Sequence, residues 1–169
     1  PQADREFMQC ALDEAAQGLS DGVMPIGAVL VCDGDVLAQA HWKGIVNGLL
    51  SHPEHVVLIE CDRRVALRQR PSCTLYTTLE PCLMCMGTAM SFGVGRIVFA
   101  MAAPADGAAD VASRWAPQHG HPPNGVPYTM PVIEGGCDES SARTLVLRWL
   151  DSGVTGAEAD FARRTVRAE

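Results

Sequence analysis

The sequence has 169 residues, 47% of them apolar and 20% charged, enough to core one folded domain and incompatible with disorder throughout the chain. Thirteen Lys and Arg against 20 Asp and Glu leave a net charge of −7, which argues against a surface made chiefly to hold phosphate backbones. No uninterrupted apolar run approaches a bilayer span and the polar first residues show no secretory signal, so a soluble protein of cytoplasmic location is expected.

Asp4 suits the cap of a first helix, in which Phe7, Met8, Ala11, Leu12, Ala15 and Leu19 recur at helical spacing before glycines 18 and 22 end it. Residues 26–32 read as a buried strand, and Asp33-Gly34 is a two-residue turn into a second strand at 36–40. The stretch 41–51, with glycines 44 and 48, reads as a loop leading to a helix over about 52–68. A third strand follows at 74–79, Pro81 opens a helical stretch running to about Phe92, and 96–101 is a fourth strand. Residues 102–128, rich in Ala, Gly and Pro, show no clear element, and their His119 and His121 read as exposed loop residues. A short edge strand over 130–134 and a helix carrying Leu145, Val146, Trp149 and Leu150 come next, and a polar helix over about 157–167 is the last element. This order predicts an α/β chain with a mixed sheet covered by helices on both faces. One domain over 1–169 is expected, with its core at about 4–150 and a helical extension over 151–169.

The seven cysteines are odd in number, which does not suit a secreted disulfide framework. Cys10, Cys32, Cys61, Cys73 and Cys137 have no close partner in sequence and read as ordinary core thiols, whereas Cys82 and Cys85 stand three apart at a helix start. That spacing puts both sulfurs on one helix face, at the end whose dipole favours thiolate. Alone, Cys82 and Cys85 would equally suit a redox pair, and Ser51-His52-Pro53-Glu54 alone would equally suit a capping box. Together the two half-motifs point to zinc: His52, Cys82 and Cys85 make three ligands and leave a fourth tetrahedral position for water, the pattern of a catalytic site. Glu54, two residues beyond His52, is then placed for acid and base work without ligating the metal.

His52-x-Glu54 followed by Pro81-Cys82-x-x-Cys85 matches the signature of zinc nucleobase deaminases. With the blocks 25–31, 74–85 and 96–99 in order, the sequence resembles the cytidine and deoxycytidylate deaminase superfamily, particularly the branch with tRNA adenosine, guanine and fungal-type cytosine deaminases. The resemblance implies a three-layer α/β/α sandwich with a five-stranded mixed sheet, usually assembled as a homodimer. It implies zinc on His52, Cys82 and Cys85, a proton shuttle at Glu54, backbone contact with the base around Gly27 and Ala28, and a bracing role for Glu80 at the second helix start. Where the family often has an asparagine that reads the base, this chain has His41. Guanine deaminases carry an aspartate where this chain has Asp106, which favours an amino-purine. The expected activity is hydrolytic deamination of a free nucleobase or nucleoside, a small molecule, with no nucleic-acid or membrane partner. A tRNA adenosine deaminase and a cytosine-type deaminase are the alternatives within the class. Outside it stands a zinc-stabilised, non-catalytic subunit, which would have no need of Glu54. The arginines at 63, 64, 68 and 70 are the candidate phosphate contacts for the RNA alternative, with a solvated helix face as their plainer reading.

Overall fold

The computed structural model describes residues 2–119 and 130–167. The chain runs α1 (Gln2–Ser20), β1 (Gly27–Cys32), β2 (Asp35–His41), α2 (Pro53–Cys61), β3 (Cys73–Leu79), α3 (Leu83–Phe92) and β4 (Arg96–Met101), then α4 (Ala109–His119), β5 (Val132–Glu134), α5 (Glu139–Asp151) and α6 (Ala157–Arg167). Five strands form one sheet in the order β2-β1-β3-β4-β5. β1 is antiparallel to β2 and β3, while β3–β4 and β4–β5 are parallel, the mixed sheet that the sequence predicts.

Alternation along the strands builds the three layers. On β1, Val29 and Val31 face a core shared with α1, α5 and α6, through Met8, Leu12, Trp149 and Ala162. Ala28, Leu30 and Cys32 face the opposite core, shared with α2 and α3 through Val57, Leu58 and Met86. At Gly27 α1 comes close against the sheet, since a Cβ there would lie 2.1 Å from the Ala11 carbonyl oxygen. No described helix is long and apolar enough to cross a membrane.

Two expected elements are corrected. The helix predicted to continue to about 68 ends at Cys61, because the buried guanidinium of Arg70 donates to the carbonyls of Asp62 and Val65 that a longer helix would use. Within 102–128, expected to be irregular, residues 109–119 form α4; its Ala109 N–H donates to Glu80 Oε1 at 3.1 Å, and Asp110 pairs with Arg114 one turn on. His119 is the last residue of α4, and His121 lies outside the described residues.

Asp4 lies within the first turn of α1, which begins at Gln2, and ties that helix to the sheet. Its carboxylate, 6% exposed, accepts from both terminal nitrogens of Arg96 at 2.5 and 2.8 Å and from the Tyr76 hydroxyl at 2.8 Å. Arg96, and then Tyr76, hold its pKa far below the usual 3.8 against the opposing effect of burial. A depressed folded-state pKa gives a contribution to stability that is fully present above the unfolded value and is lost as pH falls through the folded one. Asp4→Asn is expected to cost about 2 kcal/mol at neutral pH, since it removes the charge that the partly buried Arg96 pairs with on this side. Urea unfolding of the two proteins should show the difference at neutral pH and show it shrinking in acid.

Candidate metal and active site

Two helix starts converge at one end of the sheet. His52 is the extended residue immediately before α2, with Pro53 in its first turn, and Cys82 is the extended residue immediately before α3. His52 Nδ1 lies 3.6 Å from Cys82 Sγ and 3.6 Å from Cys85 Sγ, and the three ligand atoms lie within 4.8 Å of one another. Zinc bonds of about 2.3 Å to sulfur and 2.0–2.1 Å to nitrogen at a tetrahedral angle put S and N about 3.6 Å apart, so the residues fit the ion without rearrangement. Among the described residues the cluster has these three members, which leaves one coordination position free for water or substrate.

The donor set is also electrostatically prepared. Hydrogen bonds from Cys85 and His52 bring the Cys82 thiol down to about 4, so it is a thiolate at neutral pH. The Cys85 thiol, which donates to Glu54 Oε2 at 3.6 Å, is pushed well above its ordinary value by its hydrogen bond with Cys82 and by burial. His52 is raised, chiefly by its hydrogen bond with Cys82.

Glu54 sits in the first turn of α2 with 4% of its surface exposed. Its Oε1 accepts from the Thr77 hydroxyl at 2.7 Å and its Oε2 lies 3.6 Å from Cys85 Sγ. Burial pushes its carboxyl upward. The capping-box alternative is thereby discharged: Ser51 donates instead to the Asn47 carbonyl, and the Glu54 carboxyl points into the site. Thr77, fully buried on β3, was not singled out in the sequence; a threonine on an inward-facing strand position five residues before the first zinc cysteine is the signal it offers.

A cavity of about 360 Å³ opens over the cluster, lined by His52, Glu54, Cys82 and Asp106 together with apolar side chains. Asp106 sits there because Glu80 holds its loop. Glu80 accepts from the Ala103 and Ala109 N–H groups at 3.0 and 3.1 Å, and a Cβ at Gly107 would lie 2.4 Å from the Glu80 carboxylate. Glu80 thus braces the β4–α4 loop, where the sequence suggested the start of α3. Glu80→Ala would strand those two N–H groups and is expected to cost about 2 kcal/mol, read as a lower urea midpoint at unchanged slope.

Other expected contacts fall elsewhere. His41 does not line the cavity; its ring is taken up by Glu14 at 2.8 Å and Asp21 at 3.0 Å, acids of α1 and of the turn after it. Gly27 donates its N–H to Thr78 Oγ1 and Ala28 is packed in the α2-side core, so that of these neighbours Ile26 is the one lining the cavity. Trp42, Glu158 and Phe161, none of them marked by a sequence motif, do line it. The Trp42 indole N–H donates to Glu158 Oε1 at 2.6 Å, and its ring meets that of His52 edge-on with centroids 5.2 Å apart.

Residues 1–101 match the cytidine and deoxycytidylate deaminase zinc-binding region. The chain belongs to this deaminase family. It is 35% identical over 105 residues to the tRNA-specific adenosine deaminase of Bacillus subtilis, covering 62% of this chain and 65% of that protein. It is 37% identical over 97 residues to the cytosine deaminase of Candida albicans, covering 56% and 64%. In both cases the match spans less than two thirds of the relative's own length. A structure solved in a study of A-to-I editing by tRNA:A34 deaminases superposes with a TM-score of 0.65 at 33% identity, covering 83% of this chain and 98% of that one. The family's zinc-binding region thus contains His52, Cys82 and Cys85, and the three-layer architecture is shared.

Proposed function

We propose that the chain catalyses zinc-dependent hydrolytic deamination of a free nucleobase or nucleoside, with an amino-purine of the guanine type as its preferred substrate. The observation that carries the reading is a buried carboxyl, Glu54, beside a three-ligand cluster in a cavity whose described lining includes no lysine or arginine. When bound, zinc supplies a water nucleophile at neutral pH. Glu54, fixed by Thr77, would take one proton from the attacking water and give it to a ring nitrogen, then take the proton of the added hydroxyl and give it to the amino group, which departs as ammonia. Asp106 at the cavity rim is an acceptor for an exocyclic amino group, which supports the amino-purine preference.

The 35% identity to a tRNA-specific adenosine deaminase favours a second reading, an adenosine within RNA. Against it, the arginines that could meet phosphate stand at the far end of α2 from the cavity, about 13 Å along a nine-residue helix. Arg70 is spent on the backbone carbonyls of Asp62, Val65 and Phe92, and Arg64 on Glu60. We also place a second copy of the chain on the α2–α3 layer, where Ile59 and Leu83 are 57% and 65% exposed; sedimentation would give the oligomeric state.

The deciding experiment is an ammonia-release screen of the zinc-loaded protein over free bases, nucleosides and an adenosine-bearing RNA hairpin. Turnover of a free base or nucleoside, guanine foremost, is the expected result. Turnover of the hairpin alone, with affinity falling steeply as salt rises, would replace this reading with the RNA one.

A further inference from the structure

Cys32 and Cys73 lie outside the site already described. Cys32 ends β1, Cys73 begins β3, and the two are direct partners in the antiparallel register. Residues so opposed have Cα atoms about 4.5–5.5 Å apart, inside the range a disulfide spans. Both are free thiols, 7% and 1% exposed, and Cys73 Sγ lies 2.6 Å from Cys32 Sγ. Bonded sulfurs stand about 2.05 Å apart, so closing the bond needs about half an ångström of side-chain movement and no shift of the strands. The two thiols are far from the zinc cluster: β3 runs from Cys73 to Leu79, six residue steps or about 20 Å, before the chain reaches Cys82.

We propose that Cys32 and Cys73 are a redox-active pair that a hydroperoxide converts to a cross-strand disulfide, joining the two central strands of the sheet. Cys32 is the attacking sulfur. It is the more exposed of the two and adjoins the hairpin turn, with Ser72 Oγ 3.5 Å from its sulfur. Burial, and then the hydrogen bond with Cys32, push the Cys73 thiol up and keep it protonated. The Cys32 thiolate attacks one peroxide oxygen, the O–O bond breaks, and hydroxide leaves with the proton that Cys32 gave up, forming a sulfenic acid and water. Cys73 sulfur then attacks Cys32 sulfur, the S–O bond breaks, and the hydroxyl departs as water with the Cys73 proton. Two thiols and one peroxide thus give one disulfide and two waters. The bridge links residues 41 positions apart and encloses α2 with His52 and Glu54.

The test is to treat the zinc-loaded protein with stoichiometric hydrogen peroxide and map its peptides without reduction. The expected product is a 32–73 link two mass units lighter than the dithiol, with zinc retained. Its melting temperature should rise by about 10 °C, a gain for a loop of this length in a chain of this size that dithiothreitol reverses. Cys32→Ser should show neither link nor shift. The proposal is overturned if mapping recovers Cys32 and Cys73 as free thiols while other cysteines are oxidised, or if either is linked to Cys61 instead. The wild-type map decides this even if the variant fails to fold.

Discussion

Glu54→Gln is expected to lower kcat by about 10²- to 10⁴-fold, the usual worth of one positioned acid–base group, while zinc content stays at the wild-type level. The carboxyl is almost wholly buried, and burial raises its proton affinity above that of an exposed glutamate, which suits a group that must take up a proton. Thr77 fixes Oε1, which leaves Oε2 turned toward Cys85 and the cluster. Glutamine preserves the shape and can still accept from Thr77, but it has no proton to move. Folding stability should be equal or higher in the variant, because the cost of burying a potential charge disappears. The measurements are ammonia release, metal content and a melting curve on the same preparation. Wild-type turnover in Glu54→Gln would remove Glu54 from the chemistry, whereas zinc retained with no ammonia release from either protein would leave the non-catalytic zinc-stabilised alternative.

The zinc cluster and Glu54 were readable in sequence because their chemistry is written in short spacings: two residues from His52 to Glu54 and three from Cys82 to Cys85. Each pair needs only a local helix start to become a geometry, and the sheet then brings the two starts together. The rest of the cavity depends on contacts that span the chain. Glu158 reaches Trp42 across 116 residues, so nothing near α6 in sequence marks it as part of a site. α4 begins where Glu80, 29 residues earlier, accepts from Ala109, and the Ala- and Gly-rich stretch before it carries no periodicity of its own. His41 shows the converse. A position transferred from family resemblance is redirected by side chains of this chain, Glu14 at Nδ1 and Asp21 and Lys43 at Nε2.

Zinc loading is expected to release protons, and its affinity is expected to fall by at least about tenfold for each pH unit below neutrality. Metal binding requires both sulfurs as thiolates and His52 as neutral imidazole. Cys82, with its thiol near 4, contributes no proton at pH 7. Cys85 does, because its hydrogen bond to Cys82, its burial and the nearby Glu54 keep it protonated until the ion arrives. His52, raised by its bond with Cys82, adds a further fraction of a proton. Each proton displaced on binding makes the logarithm of the affinity fall by one per unit of acidification, so the slope counts them. Competition against a chromogenic chelator from about pH 8 to about pH 6 gives that slope, and calorimetry in buffers of different ionisation enthalpy gives the proton count independently. Cys85→Ser should then bind zinc weakly and with a shallower slope, since the proton that dominates the wild-type release is gone. A pH-independent affinity in the wild-type protein would mean that Cys85 is not a ligand, and the three-residue site would have to be redrawn.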